Sequence, residues 1–258
     1  MLAASILYQA LLAAVALAAV PARRTQRTHQ RTNVFQLASS DVADSSLSPN
    51  WAGAVLVEPT ATYTSATGTF VVPAVSLPAN STSGTTYTGS IWVGIDGWQT
   101  CGTSILQAGI EIWIDDSGTT TYEGWAEWWP NDPVGLSDIS FSEGDSVTVT
   151  VTASSTTAGT AVVENTTKGQ TATYSYSDQT AHPLCEFNAE WIVEAYDEGG
   201  DLLPFFAFDA VTFTGASATT ADGTQVDTTG ATLTDIQRTE VLTSTSASGS
   251  TVTIDYIA

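Results

Sequence analysis

The dominant pattern in the chain is alternation of period two. In "DSVTVTVTA", Val147, Val149 and Val151 fall on one side of an extended strand and Thr148, Thr150 and Thr152 on the other. "GIEIWIDDSGTTTYEGWAEWWP" reads as two strands joined through a "DDSG" turn. Further strands are predicted at "SIWVGIDG", "AEWIVEAYD", "FFAFDAVTFTG" and "STVTIDYI", separated by Ser/Thr/Gly loops such as "STSGTT" and "SSTTAG". Helical periodicity is nearly absent and no internal repeat is evident. Many antiparallel strands with glycine-rich turns predict one all-β domain over residues 48–258, a sandwich or jelly roll.

The chain ahead of that domain follows other rules. "MLAASILYQALLAAVALAAV" is apolar and is followed by small residues and arginines, so residues 1–22 read as a secretory signal peptide too short to span a membrane stably. Residues 23–47 are polar and irregular and carry Arg23, Arg24, Arg27 and Arg31, which reads as a basic propeptide or linker. No later segment approaches 18 consecutive apolar residues, so a soluble, secreted mature protein is expected.

Charge divides at the same place. From residue 33 onward only Lys168 and Arg238 are basic, against 27 acidic residues, a net charge of −25. Such a surface repels nucleic acid and anionic membranes, and neither is expected as a partner. Crowded carboxylates also suit an acidic medium, where protonation relieves their repulsion. Two cysteines in a secreted chain suggest a Cys101–Cys185 disulfide, with a free buried pair as the alternative. Asn80 in "NST" and Asn165 in "NTT" are glycosylation sequons.

Elimination narrows the chemistry. The expected mature region holds one histidine, His182, and no G-x-S-x-G, so a serine triad is poorly supported and a zinc site of two or three histidines is impossible. "DSGTT" at 116–120 matches half of an aspartic-protease signature but lacks a second copy, and reads as a hairpin turn. No metal or cofactor is implied. Carboxylates, amides and tryptophans remain. Period two groups Glu123, Trp125, Glu127 and Trp129 on one face, Trp92 with Asp96 on another, and Glu190, Ile192, Glu194 and Tyr196 on a third. Gln107 stands in the apolar run "SILQAGI", where an unpartnered amide would cost about 1–3 kcal/mol, so it is hydrogen-bonded, facing a wet cleft, or functional.

These residues carry a resemblance. "NWAGAVL", "TYTSATGTFVVP", "WVGIDG", "CGTSILQAG", "YEGWAEWWP", "ISFSEGDSV" and "CEFNAEWIVEAY", in this order, closely resemble the glutamic peptidases, or eqolisins, over essentially the whole expected mature chain. The resemblance implies a sandwich of two curved antiparallel sheets of concanavalin A-like or jelly-roll type. It further implies acid endopeptidase activity on polypeptides without a cofactor, insensitive to pepstatin. It assigns the catalytic dyad to Gln107 and Glu194, and the substrate cleft to Trp92, Asp96, Glu123, Trp125 and Glu127. The spacing of Cys101 to Gln107 and of Cys185 to Glu194 also fits, supporting the disulfide. Glu194 would act as general base on water, with Gln107 as oxyanion donor. The basic propeptide is a candidate inhibitor of a monomeric enzyme. The rival readings are a jelly-roll glycoside hydrolase and a non-catalytic sugar-binding sandwich, neither of which accounts for the glutamine motif.

Overall fold

The computed structural model describes residues 45–258 and the backbone pairing of Arg27–Thr28. The expected signal peptide and most of the expected propeptide lie outside the described residues. The main strands are β1 (Ser45–Ser48), β2 (Trp51–Val57), β3 (Tyr63–Val71), β4 (Tyr87–Ile95), β5 (Ile105–Ile114), β6 (Thr120–Trp129), β7 (Val134–Leu136) and β8 (Ser146–Ser155). They continue with β9 (Ala158–Asn165), β10 (Gln170–Tyr176), β11 (Asn188–Glu194), β12 (Ala210–Thr220), β13 (Thr232–Ile236), β14 (Thr243–Ser248) and β15 (Thr251–Tyr256).

Two large sheets face each other. One runs β1-β13-β2-β11-β4-β5-β6-β7 and the other β10-β9-β8-β3-β12-β15-β14. Pairing is antiparallel apart from the parallel β1–β13 contact. The expected domain start at residue 48 falls inside β1, so the folded domain reaches back at least to Ser45.

Alternation decides which side chains meet between the sheets. From the first sheet come Ile91, Val93, Leu106, Ile110 and Trp191, and from the second Phe70, Val147, Val149, Val151, Phe213 and Ile254, all buried. Each such side chain contributes about 1.5–3 kcal/mol of burial. Trp191 links the layers by donating its indole N–H to the Thr67 carbonyl at 2.7 Å, over Gly68, where a Cβ would meet its ring at 2.8 Å. The far face of the second sheet pairs hydroxyls across strands, Thr67 with Thr150 and Thr69 with Thr148, both at 2.7 Å. In β5 the core takes Leu106, Ala108, Ile110 and Ile112, which turns Ile105, Gln107, Gly109 and Glu111 to the sheet's other face. The sheet's chemistry lies on that face.

Candidate active site

Strand register arranges the second face of the first sheet in rows. One row holds Val55, Glu190, Gly94, Gln107 and Glu127. The next on this face holds Gly53, Ile192, Trp92, Gly109 and Trp125, and the one beyond it Trp51, Glu194, Ser90, Glu111 and Glu123. Aromatics pack this face as a second apolar cluster of Trp51, Val55, Trp92, Trp98, Ile105, Trp125 and Ile192. Trp51 meets Trp92 edge-on at 4.9 Å and stacks on Trp98 at 6.3 Å.

Gln107 and Glu190 face each other across a glycine. A Cβ at Gly94 would lie 3.0 Å from Glu190 Oε1 and 2.7 Å from Trp92 Cζ3, so one carboxylate oxygen leans over the backbone that separates it from Gln107. Both Glu190 oxygens are buried and accept no hydrogen bond. Burial, and then the Asp96 charge, push its pKa well above the usual carboxylate range. Gln107 donates from Nε2 to Glu127 Oε2 at 2.6 Å, leaving its Oε1 unpartnered and one amide hydrogen for another acceptor. A carboxylate, a polarised amide and a free amide oxygen thus converge above one glycine. Such a set can take a proton from water on one side and donate to an anionic oxygen on the other.

Comparison with known proteins decides the family. Residues 49–256 match the description "Peptidase A4 family". The chain belongs to the peptidase A4 family. Aspergillopepsin-2 of Aspergillus niger is 45% identical over 225 residues, covering 81% of this chain and 78% of that protein. Scytalidopepsin B of Scytalidium lignicola is 39% identical over 227 residues, covering 83% and 80%. Among solved structures, scytalido-glutamic peptidase with a transition state analog inhibitor superposes with a TM-score of 0.72 at 37% identity, covering 81% of this chain and 98% of that one. This A4 chain is therefore a glutamic-type peptidase with the β-sandwich fold that the alternation predicts.

Within the A4 fold, the partner expected for Gln107 is displaced by four residues along β11. Glu194 lies four residues from the Gln107 row, about 13 Å along the strand, with Trp92 in the row between. Its oxygens are engaged by Asn50 Nδ2 at 3.2 Å and Trp92 Nε1 at 2.9 Å. Glu190 occupies the position facing Gln107. The motif "NAEWIVE" contains two acids on the same strand face, and only the pairing of both strands with Gly94 distinguishes them.

Asp96 departs from expectation too. Instead of opening to a cleft, its carboxylate accepts the backbone N–H groups of Cys185, Glu186, Phe187 and Asn188. Trp92, Trp125 and Glu127 do lie on the Gln107 face, and half-buried Glu123 stands opposite Glu111. The Cys101–Cys185 disulfide forms, with Cα atoms 6.0 Å apart. "DSGTT" is the β5–β6 turn, where Asp115 caps Ser117 and Thr119. Asn80 is exposed. Asn165 is fully buried and its Nδ2 donates to the Ser140 carbonyl and to Asp145, so the folded domain has no room for a glycan there.

Proposed function

We propose that Gln107 and Glu190 form the catalytic dyad of a secreted acid endopeptidase. The observation that carries this reading is their opposition across Gly94 with both Glu190 oxygens and Gln107 Oε1 unpartnered. Water held between the two residues attacks the scissile carbonyl carbon as Glu190 takes one of its protons. The free Gln107 N–H donates to the developing oxyanion, while Glu127 fixes the amide's orientation. Glu190 then returns the proton to the leaving nitrogen as the C–N bond breaks, giving a carboxylic acid and an amine. No paired aspartates take part, so a pepstatin-type inhibitor leaves the reaction unaffected.

Three variants test the assignment on a denatured protein substrate at pH 2–6. Glu190→Gln and Gln107→Ala are expected to fold and to lose at least about 10²-fold in kcat. Glu194→Gln, which keeps a carbonyl acceptor for one of the two donors, Asn50 and Trp92, and the side-chain size, is expected to retain activity within about tenfold. An inactive Glu194→Gln beside an active Glu190→Gln would reverse the assignment.

The same face supports a zymogen reading. Gln107, Glu127, Glu190 and Glu194 are all fully buried, and burial, then the Asp96 charge, pushes the Glu190 pKa well above the usual carboxylate range. The backbone of Arg27–Thr28 pairs antiparallel with Asp197–Glu198, just beyond β11. In this reading the basic segment 23–45 lies against the acidic face near neutrality and leaves as carboxylates protonate. The mature enzyme then acts as a secreted monomer on polypeptides. A synthetic 23–45 peptide should inhibit it at pH 5–6 and lose potency at pH 3, and failure to inhibit at pH 5–6 counts against the reading.

A further inference from the structure

Only Lys168 and Arg238 are basic from residue 33 onward, and the fold treats them differently. Lys168 Nζ pairs with Asp145 at 2.9 Å, whereas Arg238 has no ion-pair partner among the described residues. Arg238 sits on the β13–β14 turn, closed by the Gln237–Val241 bridge, and its Nη2 donates to the Leu203 carbonyl at 3.0 Å. Nε is buried without a partner, and Nη1 is neither hydrogen-bonded nor buried. Burial lowers the Arg238 pKa and Tyr256 opposes that shift. A half-buried guanidinium with so few of its N–H groups bonded has not recovered the hydration it has lost. The side chain lines a pocket of about 400 Å³, the size of a small-molecule site, whose other walls include Tyr87, Phe205, Leu242 and Tyr256. Tyr87 opens β4 and Gly94 lies near its end, about 23 Å along the strand, so this pocket is separate from the Gln107 row.

We propose that this pocket is a second binding site, for the C-terminal end of a peptide with an apolar last side chain: Arg238 takes the carboxylate and the aromatic wall takes the side chain. A guanidinium with unspent N–H groups holds a carboxylate by charge-assisted hydrogen bonds, and more strongly where water is partly excluded. Tyr87, Phe205 and Leu242 supply the adjoining surface for a leucine-like or phenylalanine-like group. Thr239 and Glu240, on the same turn, add oxygen acceptors for the N–H of the last peptide bond. Glu240 does not neutralise Arg238, with which it forms no ion pair; its backbone carbonyl accepts the Arg238 N–H at 2.9 Å. The chain from residue 33 onward carries a net charge of −25 and repels a carboxylate elsewhere, which makes the unpaired cation the favoured place for one. Every turnover of a peptidase creates a new C-terminal carboxylate, so the enzyme generates the ligand itself. The site holds that end of the product away from the Gln107 row, and it does not depend on which glutamate is the base.

The test titrates the 15N-labelled enzyme at pH 5 with N-acetyl-L-leucine and with N-acetyl-L-leucinamide, followed by amide chemical shifts. The acid is ionised there, since an α-carboxyl has a pKa of about 3.5. It should bind with a Kd of about 5 mM or tighter and move the amides of 87–88, 203–205 and 238–242. The amide, which has no charge for Arg238, should bind at least about tenfold more weakly. Arg238→Gln should weaken binding of the acid by at least about tenfold. 4-Methylpentanoate, which keeps the carboxylate and the apolar group but lacks the N–H, should bind at least about threefold more weakly than the acid. Equal affinity for acid and amide would overturn the inference, as would shift changes confined to the Gln107 row or no binding up to about 20 mM. Equal affinity for 4-methylpentanoate would overturn the peptide terminus as the ligand. If Arg238→Gln does not fold, the acid–amide comparison and the location of the shifts in the unaltered enzyme decide the question. Binding is read without turnover, so wild-type activity in Glu190→Gln would overturn the dyad and leave this site standing.

Discussion

Glu190 and Gln107 are separated by Gly94 alone, and the missing side chain at that position is what lets a carboxylate oxygen lean toward the amide. The glycine is thus part of the site although it has no chemistry of its own. Alanine there would place Cβ 2.7 Å from Trp92 Cζ3 and 3.0 Å from Glu190 Oε1. Trp92 is held by Glu194 and Trp51, so the carboxylate must give way. Gly94→Ala is expected to cost about 1–3 kcal/mol of stability through overpacking. It should lower kcat/KM by about 10²-fold, a loss out of proportion to its change in Tm. Steady-state kinetics beside a thermal melt check this, and wild-type kcat would show that the gap over residue 94 is unimportant.

Buried acids set the direction of the pH dependence. Burial raises Glu190 and Glu194 well above the usual range, and for Glu194 the bonds from Trp92 and Asn50 offset only part of that rise. A raised folded-state pKa gives stability that is complete below the unfolded value, near ~4.3, and is lost as pH rises through the folded value. Asp145 works in the other direction. Burial would raise it, but Lys168 at 2.9 Å, Asn165 and the Ser142 amide outweigh burial and hold it low. Its contribution is present above the unfolded carboxyl pKa and is lost as pH falls through its lowered folded value. Tm should therefore be higher at pH 4 than at pH 7, and Glu194→Gln should flatten that slope. A Tm higher at pH 7 than at pH 4 would contradict this account.

Much of this architecture is readable from the chain because period two is a local property. Val147, Val149 and Val151 against Thr148, Thr150 and Thr152 assign their own faces, and the same rule puts Gln107 opposite Leu106 and Ala108. The choice between Glu190 and Glu194 is not local. Both acids satisfy the same alternation, and only cross-strand register, set by pairing β11 to β4 and β4 to β5, aligns one of them with Gln107. Asp96 is hidden for a related reason. Its four partners are backbone amides about 90 residues away, and backbone amides leave no trace in residue identity. Asn165 fits its sequon locally, while its burial depends on Asp145 and Ser140 from another part of the chain.

The two sequons should behave differently when the protein is expressed in a glycosylating host. Asn80 is exposed beside a turn, and its side chain is accessible to a glycan. Asn165 holds the Ser140 carbonyl at 2.9 Å and Asp145 at 2.8 Å, and accepts the Lys168 N–H at 3.1 Å. Peptide mapping should find any N-glycan at Asn80 and none at Asn165. Asn165→Ala should destabilise the fold by about 1–3 kcal/mol, because it leaves buried groups without partners. Glycan occupancy at Asn165 in the folded, active enzyme would refute this reading.

The Cys101–Cys185 bond joins the two segments that lead into Gln107 and Glu190. Cys101 lies six residues before Gln107 and Cys185 five before Glu190, so one covalent link connects the entrances of β5 and β11. A bridge spanning 84 residues restricts the unfolded chain by about 4.5 kcal/mol in the chain-entropy model. The folded segment 185–188 is also tied by Asp96, which leaves it a second restraint when the sulfurs are separated. The Cys101→Ala/Cys185→Ala double variant should consequently show a large fall in Tm and a smaller loss of kcat at temperatures where it remains folded. The order of effects is the informative part. If kcat collapsed in the folded double variant while 185–188 amide protection persisted, the disulfide would act on the dyad through the β5 entrance at Cys101 and not through the segment that Asp96 holds.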